Sequence, residues 1–371
     1  MSHTLKYLIK CITLAVCLST TVVHAQVLKD STSLNLINNG IENIYNFQFA
    51  DAGDILNKLR NYCPGHPINS LLSGILVYWE NYPLLPASSF SSVFENNLHQ
   101  CIELCEKKTS KENEAEYLLI NLCARSMLLL YYSDNDLTSE VFPLTLSTYQ
   151  YLRKSFNFTD VYPDFFFFTG LYNYYREAYP EAYPVYKTMA FLFPKGSKNK
   201  GLKELETAAK KSIFLKADSY SFLAGIFIYF ENNYNSAFVF NASLHSLSPD
   251  NIQYQAIYIK NLLLLKEYDK AEEMMRDVSS KSGNVLFQAQ LAIFNGILQE
   301  KKYHDYVKAL DYYNNGVRDI AVFGHYANDF ASYGYYGLSR ISEINGDKRG
   351  KKIYHKKALE LSDFKKINFE E

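Results

Sequence analysis

The chain has 371 residues, with 38 Lys+Arg against 39 Asp+Glu and a hydrophobic share of 48%. That apolar content excludes a disordered chain, and a formal charge of −1 leaves no basic footprint for nucleic acid and no polybasic anchor for anionic lipid. Only 16 Gly and 10 Pro punctuate it, which disfavours a many-turned all-β fold, while aromatics reach 16% through 32 Tyr and 25 Phe beside a single Trp.

Residues 1–25 read as a secretory signal peptide. Lys6 and Lys10 form the positive start, Cys11 to Val23 is apolar, and Val23-His24-Ala25 before Gln26 fits a small-residue cleavage site. The apolar stretch is shorter than the ~20 residues that a spanning helix needs. A lipoprotein reading rests on Leu14-Ala15-Val16-Cys17, but Val16 stands where Gly, Ala or Ser is normal, so cleavage after Ala25 fits better than acylation of Cys17. The expectation is a periplasmic or secreted protein with no stable membrane span after cleavage. The longest later apolar stretch, Tyr117 to Tyr132, is interrupted by Arg125 and reads as a buried core helix.

Cys63, Cys101, Cys105 and Cys123 remain after cleavage. Their even number permits disulfides, and His99 beside the Cys101–Cys105 spacing invites a metal, though one His with that spacing is no closed ligand set. Buried small apolar residues are the favoured reading. The pairing stays open.

A fixed period organises the mature chain. Gly40 and Gly74 stand 34 residues apart, as do Tyr234 and Tyr268, and Ala237 and Ala271. From Asp218 to Asn251, Gly225 falls where two helices would approach closely, Tyr234 opens the second helix, Ala237 takes the small position at the crossing and Pro249 stops it. The segment from Ser33 repeats this with Gly40, Phe49, Ala52, Leu59 and Pro64. A third segment keeps Tyr268 and Ala271, and a last one keeps Gly346-Asp347 and Ala358. Apolar residues recur at three- and four-residue spacing, as in Ile252, Ala256, Ile259 and Leu263, so each helix pair needs a stacked neighbour to cover its apolar face.

These segments resemble tetratricopeptide (TPR) repeats, and the whole is similar to secreted bacterial TPR-like proteins. The resemblance implies an all-α, right-handed superhelix of antiparallel helix pairs, an α-solenoid, serving as a scaffold that holds peptides or partner proteins and performs no chemistry. The expected organisation is an N-terminal TPR-like array over 26–159, an irregular Tyr/Pro-rich elbow over 160–199 and a C-terminal TPR array over 200–371. Pro163, Pro180, Pro184 and Pro194 crowd the elbow, so its helices are expected to be short.

Catalytic signatures are missing. There is no HExxH, GxSxG, Walker loop or post-strand GxGxxG, and His66, His99, His245, His304, His325 and His355 are scattered through different repeats. The chain reads as no enzyme, with no catalytic residue, metal or cofactor. Asp134-Asn135-Asp136 with Glu140 lacks the Gly and further ligands of a calcium loop and reads as a turn in which Asp136 caps the next helix. Asn157-Phe158-Thr159 and Asn241-Ala242-Ser243 match glycosylation sequons.

A TPR scaffold binds in its concave groove, and the groove positions here are apolar. They include Ile41 and Tyr45 in the first repeat, Tyr78 and Trp79 in the second, Phe222 and Tyr229 in the Asp218 repeat, and Lys260 in the next. The Lys/Asn/Arg clamp for a partner's free carboxylate is missing, with only Lys260 able to contribute. The lining would suit an apolar peptide, a lipid or a sugar face, unless a tight superhelix buries it as core, the commoner fate of an aromatic stripe. Tyr78, Trp79, Phe222, Tyr229 and Lys260 are the candidate partner-binding residues, with Tyr78 and Trp79 foremost. The leading reading is an exported scaffold for a protein or peptide partner in the cell envelope, with no nucleic-acid partner. A binding protein for a small apolar or glycan ligand, serving an envelope transporter, is the alternative.

Overall fold

The computed structural model describes residues 26–184, 187, 191–279, 282–362, 367 and 369. The signal peptide and the Cys17 alternative fall outside these residues. Among the described residues every regular element is a helix. The first eight are α1 (Ser31–Tyr45), α2 (Phe49–Tyr62), α3 (Pro67–Glu80), α4 (Ser91–Lys108), α5 (Glu114–Asp134), α6 (Thr138–Ser155), α7 (Phe165–Ala182) and α8 (Lys198–Lys211). There follow α9 (Lys216–Tyr229), α10 (Tyr234–Leu247), α11 (Ile252–Leu264), α12 (Tyr268–Ser279), α13 (Val285–Lys301), α14 (Tyr306–Ile320), α15 (Asn328–Ile344) and α16 (Lys348–Leu361). Each odd-numbered helix packs against the next, and successive pairs stack on one another. The fold is a TPR-like α-solenoid.

The pairs are built by a repeated local device. The residue two before α2, α6, α10, α12, α14 and α16 has a positive φ in every case: Phe47 (59°), Asp136 (54°), Asn232 (53°), Lys266 (61°), His304 (57°) and Gly346 (74°). One left-handed residue reverses the chain tightly enough for antiparallel packing. Small residues then let the helices approach. Ala52, Ala237, Ala271, Ala309 and Ala358 are all fully buried, and a Cβ on Gly40 or Gly74 would meet Leu56 at 3.0 Å or Leu98 at 2.7 Å. Leu59, Ile259 and Leu338 fill the layers between pairs, each contributing ~1.5–3 kcal/mol by burial.

Three expectations are corrected. The elbow contains α7, one helix of 18 residues, rather than short pieces. Pro163 lies before its start and Pro180 falls two residues before its end, so the i−4 bond it removes lies in the closing turn, while Pro184 and Pro194 lie outside the helix. α7 and α8 form a pair of their own, meeting where a Cβ on Gly201 would stand 2.7 Å from the Gly170 carbonyl oxygen. Asp136 does not cap α6: Leu137 holds that position, and Asp136 is the left-handed turn residue, its Oδ1 accepting from Thr138 Oγ1 at 3.1 Å. Asn241 is buried, its Nδ2 donating to Asn261 Oδ1 at 2.7 Å, so the second sequon is closed to glycosylation in the folded protein.

Candidate functional site

Two capping asparagines close the solenoid on itself. Asn251 caps α11 by accepting from the Gln253 and Tyr254 amides, and its Nδ2 donates to the Tyr45 carbonyl at the end of α1 at 3.1 Å. Asn284 does the same one repeat later: it caps α13 by accepting from the Phe287 amide, and its Nδ2 donates to the Tyr82 carbonyl beyond α3 at 2.7 Å. One side chain thus satisfies a helix N-terminus and an orphan carbonyl at a helix end. Rings fill the seam. The Trp79 ring centre lies 5.4 Å from that of Tyr45, 5.4 Å from Tyr82 and 5.8 Å from Tyr254.

The curve leaves an interior chamber of about 620 Å3. Its wall draws on α1 (Tyr45), α3 (Tyr78, Trp79), α7 (Phe167, Tyr175), α9 (Phe222, Tyr229) and α11 (Tyr254), so both halves of the chain and the elbow contribute. Tyr78, Trp79, Phe222 and Tyr229, four of the five residues singled out from the sequence, therefore converge on one space. Tyr78 and Trp79 also carry the core reading, being only 2% and 6% exposed among neighbouring rings. The Trp79 indole Nε1 is buried without a hydrogen-bond partner among the described residues.

Lys260 stands apart from the chamber wall. It is buried, its Nζ donates to the Tyr229 hydroxyl at 2.8 Å and lies 3.9 Å from Asp329 Oδ2, and Tyr229 in turn donates to Asp329 at 2.6 Å. Burial pulls the Lys260 ammonium below the usual lysine range, and Asp329 opposes this. Lys260 braces Tyr229 from behind.

The chamber's polar groups are acids, hydroxyls and an amide, and among the described residues no Lys, Arg or His lines it. Asp134 is at the end of α5, and Asp218 lies in the first turn of α9. Asp218 Oδ2 accepts from the Tyr45 hydroxyl at 3.1 Å, its one side-chain donor among the described residues. Burial pushes the Asp218 carboxyl up to about 6, against the pull of the Tyr45 bond, and the charge of Asp164 adds to the rise. Asp164 is the contrast. Fully buried, it accepts from the amides of Ile213, Phe214 and Leu215 at 2.9, 2.7 and 3.2 Å, and so fastens the α8–α9 turn. Asp164 fastens a turn with its carboxylate; Asp218 has one side-chain donor, its own amide and a cavity.

Gly225 also belongs to the wall, and here the repeat-based expectation is wrong. A Cβ on it would meet nothing within 4 Å, because the position opens onto the chamber instead of meeting the partner helix. Sequence reasoning missed Asp218 and Tyr254. Asp218 read only as a repeat boundary, and Tyr254 becomes a wall residue only through the closure that Asn251 and Asn284 make.

The four cysteines are buried free thiols, and burial pushes Cys101 and Cys123 well above the usual thiol range, so neither is primed as a nucleophile or ligand. Among the described residues no group of three or more His, Cys, Asp or Glu is placed to hold a metal ion, and no helix is long and apolar enough to cross a membrane. No protein-family model matches the chain, and no curated protein matches it significantly. Among solved structures the chain is similar to the human IFIT1 dimer with m7Gppp-AAAA, with a TM-score of 0.44 and 14% identity over 84% of this chain and 67% of that one.

Proposed function

We propose that this protein is an exported binding protein of the TPR family, acting in the cell envelope without chemistry of its own, and that it takes a small, largely apolar ligand into its interior chamber. The observation that carries this reading is the chamber of about 620 Å3, walled by rings from both halves of the chain. That volume lies within the roughly 300–1,000 Å3 of small-molecule sites, and a mainly apolar wall with a few placed polar groups is their usual chemistry. Asp134 and Asp218 on the wall, with no cation among the described lining residues, oppose a phosphate-bearing ligand and so a nucleic acid.

The scaffold reading, with a protein or peptide partner, is second and is favoured by a different surface. Phe142 and Leu146 stand four apart on α6 and are 63% and 55% exposed, an apolar stripe suited to a partner helix.

The test is a titration of the neutral fluorophore N-phenyl-1-naphthylamine into mature protein and into Gly225→Leu, whose side chain would project into the chamber. Saturable binding to the wild type and its loss in a folded Gly225→Leu support the chamber. Equal binding to both contradicts it. Intact mass of the exported protein tests the address: a chain starting at Gln26 is expected, and a lipidated Cys17 would contradict it.

A further inference from the structure

We propose that the chamber's ligand is an organic ammonium compound, a small apolar body carrying one cationic nitrogen that sits against Asp218, beside the rings of Tyr45, Trp79 and Tyr254. This rests on the chamber reading and deepens it.

Three observations carry the inference. First, the wall holds the carboxylate of Asp218, and no Lys, Arg or His is among its described residues. A partly buried carboxylate without a cation is costly, and the more deeply buried acids among the described residues are matched. Glu300 is paired with Arg340 at 2.6 Å, Glu116 meets His66 at 2.8 Å, and Asp164 has three amide donors. Asp218 has one side-chain donor, the Tyr45 hydroxyl, besides its own backbone amide, and it lines the chamber.

Second, the groups around Asp218 are those that hold a cation. Tyr45, which donates to Asp218, lies with its ring centre 5.4 Å from Trp79 and 6.2 Å from Tyr254, and all three rings line the chamber. Aromatic faces are electron-rich, and a desolvated ammonium against Trp and Tyr gains from each of them. A carboxylate beside such a ring cluster supplies a charge-assisted hydrogen bond and fixes orientation.

Third, the Asp218 carboxyl is raised by burial to about 6, so near neutrality it is charged mainly at the expense of folding energy. A bound ammonium would recover that energy.

The test separates this inference from the chamber reading. N-phenyl-1-naphthylamine bound to the mature wild-type protein is displaced by three compounds with the same body: 3-phenylpropylammonium, 3-phenylpropanol and 3-phenylpropanoate. The amine should bind at least about tenfold more tightly than the alcohol, with the acid weakest. In Asp218→Asn the ratio of amine to alcohol affinity should fall to about one. If the probe binds and is displaced by the alcohol as well as by the amine, the ammonium inference is overturned while the chamber reading stands. If the probe does not bind, or binds equally to Gly225→Leu, the chamber reading itself fails. The wild-type ranking of the three compounds decides the matter even should Asp218→Asn not fold.

Discussion

The Tyr45 hydroxyl donates to the Asp218 carboxylate at 3.1 Å, joining the end of the first helix to the start of the ninth across 173 residues of sequence. Neither residue has this meaning within its own repeat. The bond accompanies the docking of α11 and α13 on the ends of α1 and α3 through Asn251 and Asn284, which curves the stack of helix pairs around a half-open chamber.

Asp218 makes stability depend on pH in a definite direction. The unfolded carboxyl titrates at its ordinary 3.8 and the folded one at about 6. Between those values the folded state binds more protons, so stability falls as pH rises through this window, and the penalty remains in full above it. Asp218→Asn removes the effect. Urea denaturation above neutrality should find the variant more stable by about 2–3 kcal/mol, with no difference below the window. A variant less stable than the wild type in mildly alkaline buffer would refute the assignment.

The closure itself can be weakened without losing a helix cap. Asn284→Asp keeps an Oδ acceptor for the Phe287 amide but loses the Nδ2 donor and sets a carboxylate against the Tyr82 carbonyl. A loss of about 1–3 kcal/mol is expected, since a buried carbonyl is left unpaired. Chemical denaturation of Asn284→Asp beside wild type checks this. Unchanged stability would mean that the cap alone accounts for Asn284.

Two helical glycines should respond oppositely to alanine. At Gly201 a Cβ would sit 2.5 Å from the Tyr174 amide nitrogen, and backbone cannot yield, so Gly201→Ala should destabilise by about 1–3 kcal/mol. At Gly225 nothing lies within 4 Å, and Gly225→Ala should stabilise by about 0.5–1 kcal/mol through helix propensity alone. Melting temperatures of the two variants check the pair, and a shift of the same sign in both would count against the described packing.

Glu300, nearly fully buried, accepts from Arg340 Nε at 2.6 Å and Nη2 at 2.7 Å and from the Tyr313 hydroxyl at 2.8 Å. Burial pushes its carboxyl up and Arg340 more than offsets this, leaving it below the usual range. Arg340→Met would leave the buried carboxylate only Lys301 at 3.4 Å and the Tyr313 hydroxyl, and should destabilise by about 3 kcal/mol. Adding Glu300→Gln should recover much of the loss. If the double variant is no better than the single one, the pair is not the source of the effect.

The helix pairs are legible in the sequence because their grammar is local. Ala237, Ala271 and Tyr234 sit at fixed offsets, and period alone places them at crossings and helix starts. The elbow is misread because proline counts ignore position: Pro163 precedes the 18-residue helix and Pro180 falls two residues before its end, so neither divides it. The candidate site is half legible. Tyr78, Trp79, Phe222 and Tyr229 follow from groove positions, whereas Asp218 and the open side of Gly225 depend on contacts between residues far apart in the chain, such as Asn251 with Tyr45. Periodicity carries no information about where a superhelix closes. Lys260 shows the converse failure: its groove position is right by register, yet α15 supplies Asp329 to occupy it.

Trp79 is the only tryptophan in the chain and lies on the chamber wall, so its emission reports directly on occupancy. The most direct test of an interior ligand site is energy transfer from Trp79 to bound N-phenyl-1-naphthylamine. A bound probe would stand in contact with the indole. The expected result is saturable quenching of Trp79 with matching sensitised probe emission at one probe per chain, abolished in Gly225→Leu. Probe binding that leaves Trp79 emission unchanged would place the ligand outside the chamber and contradict the account.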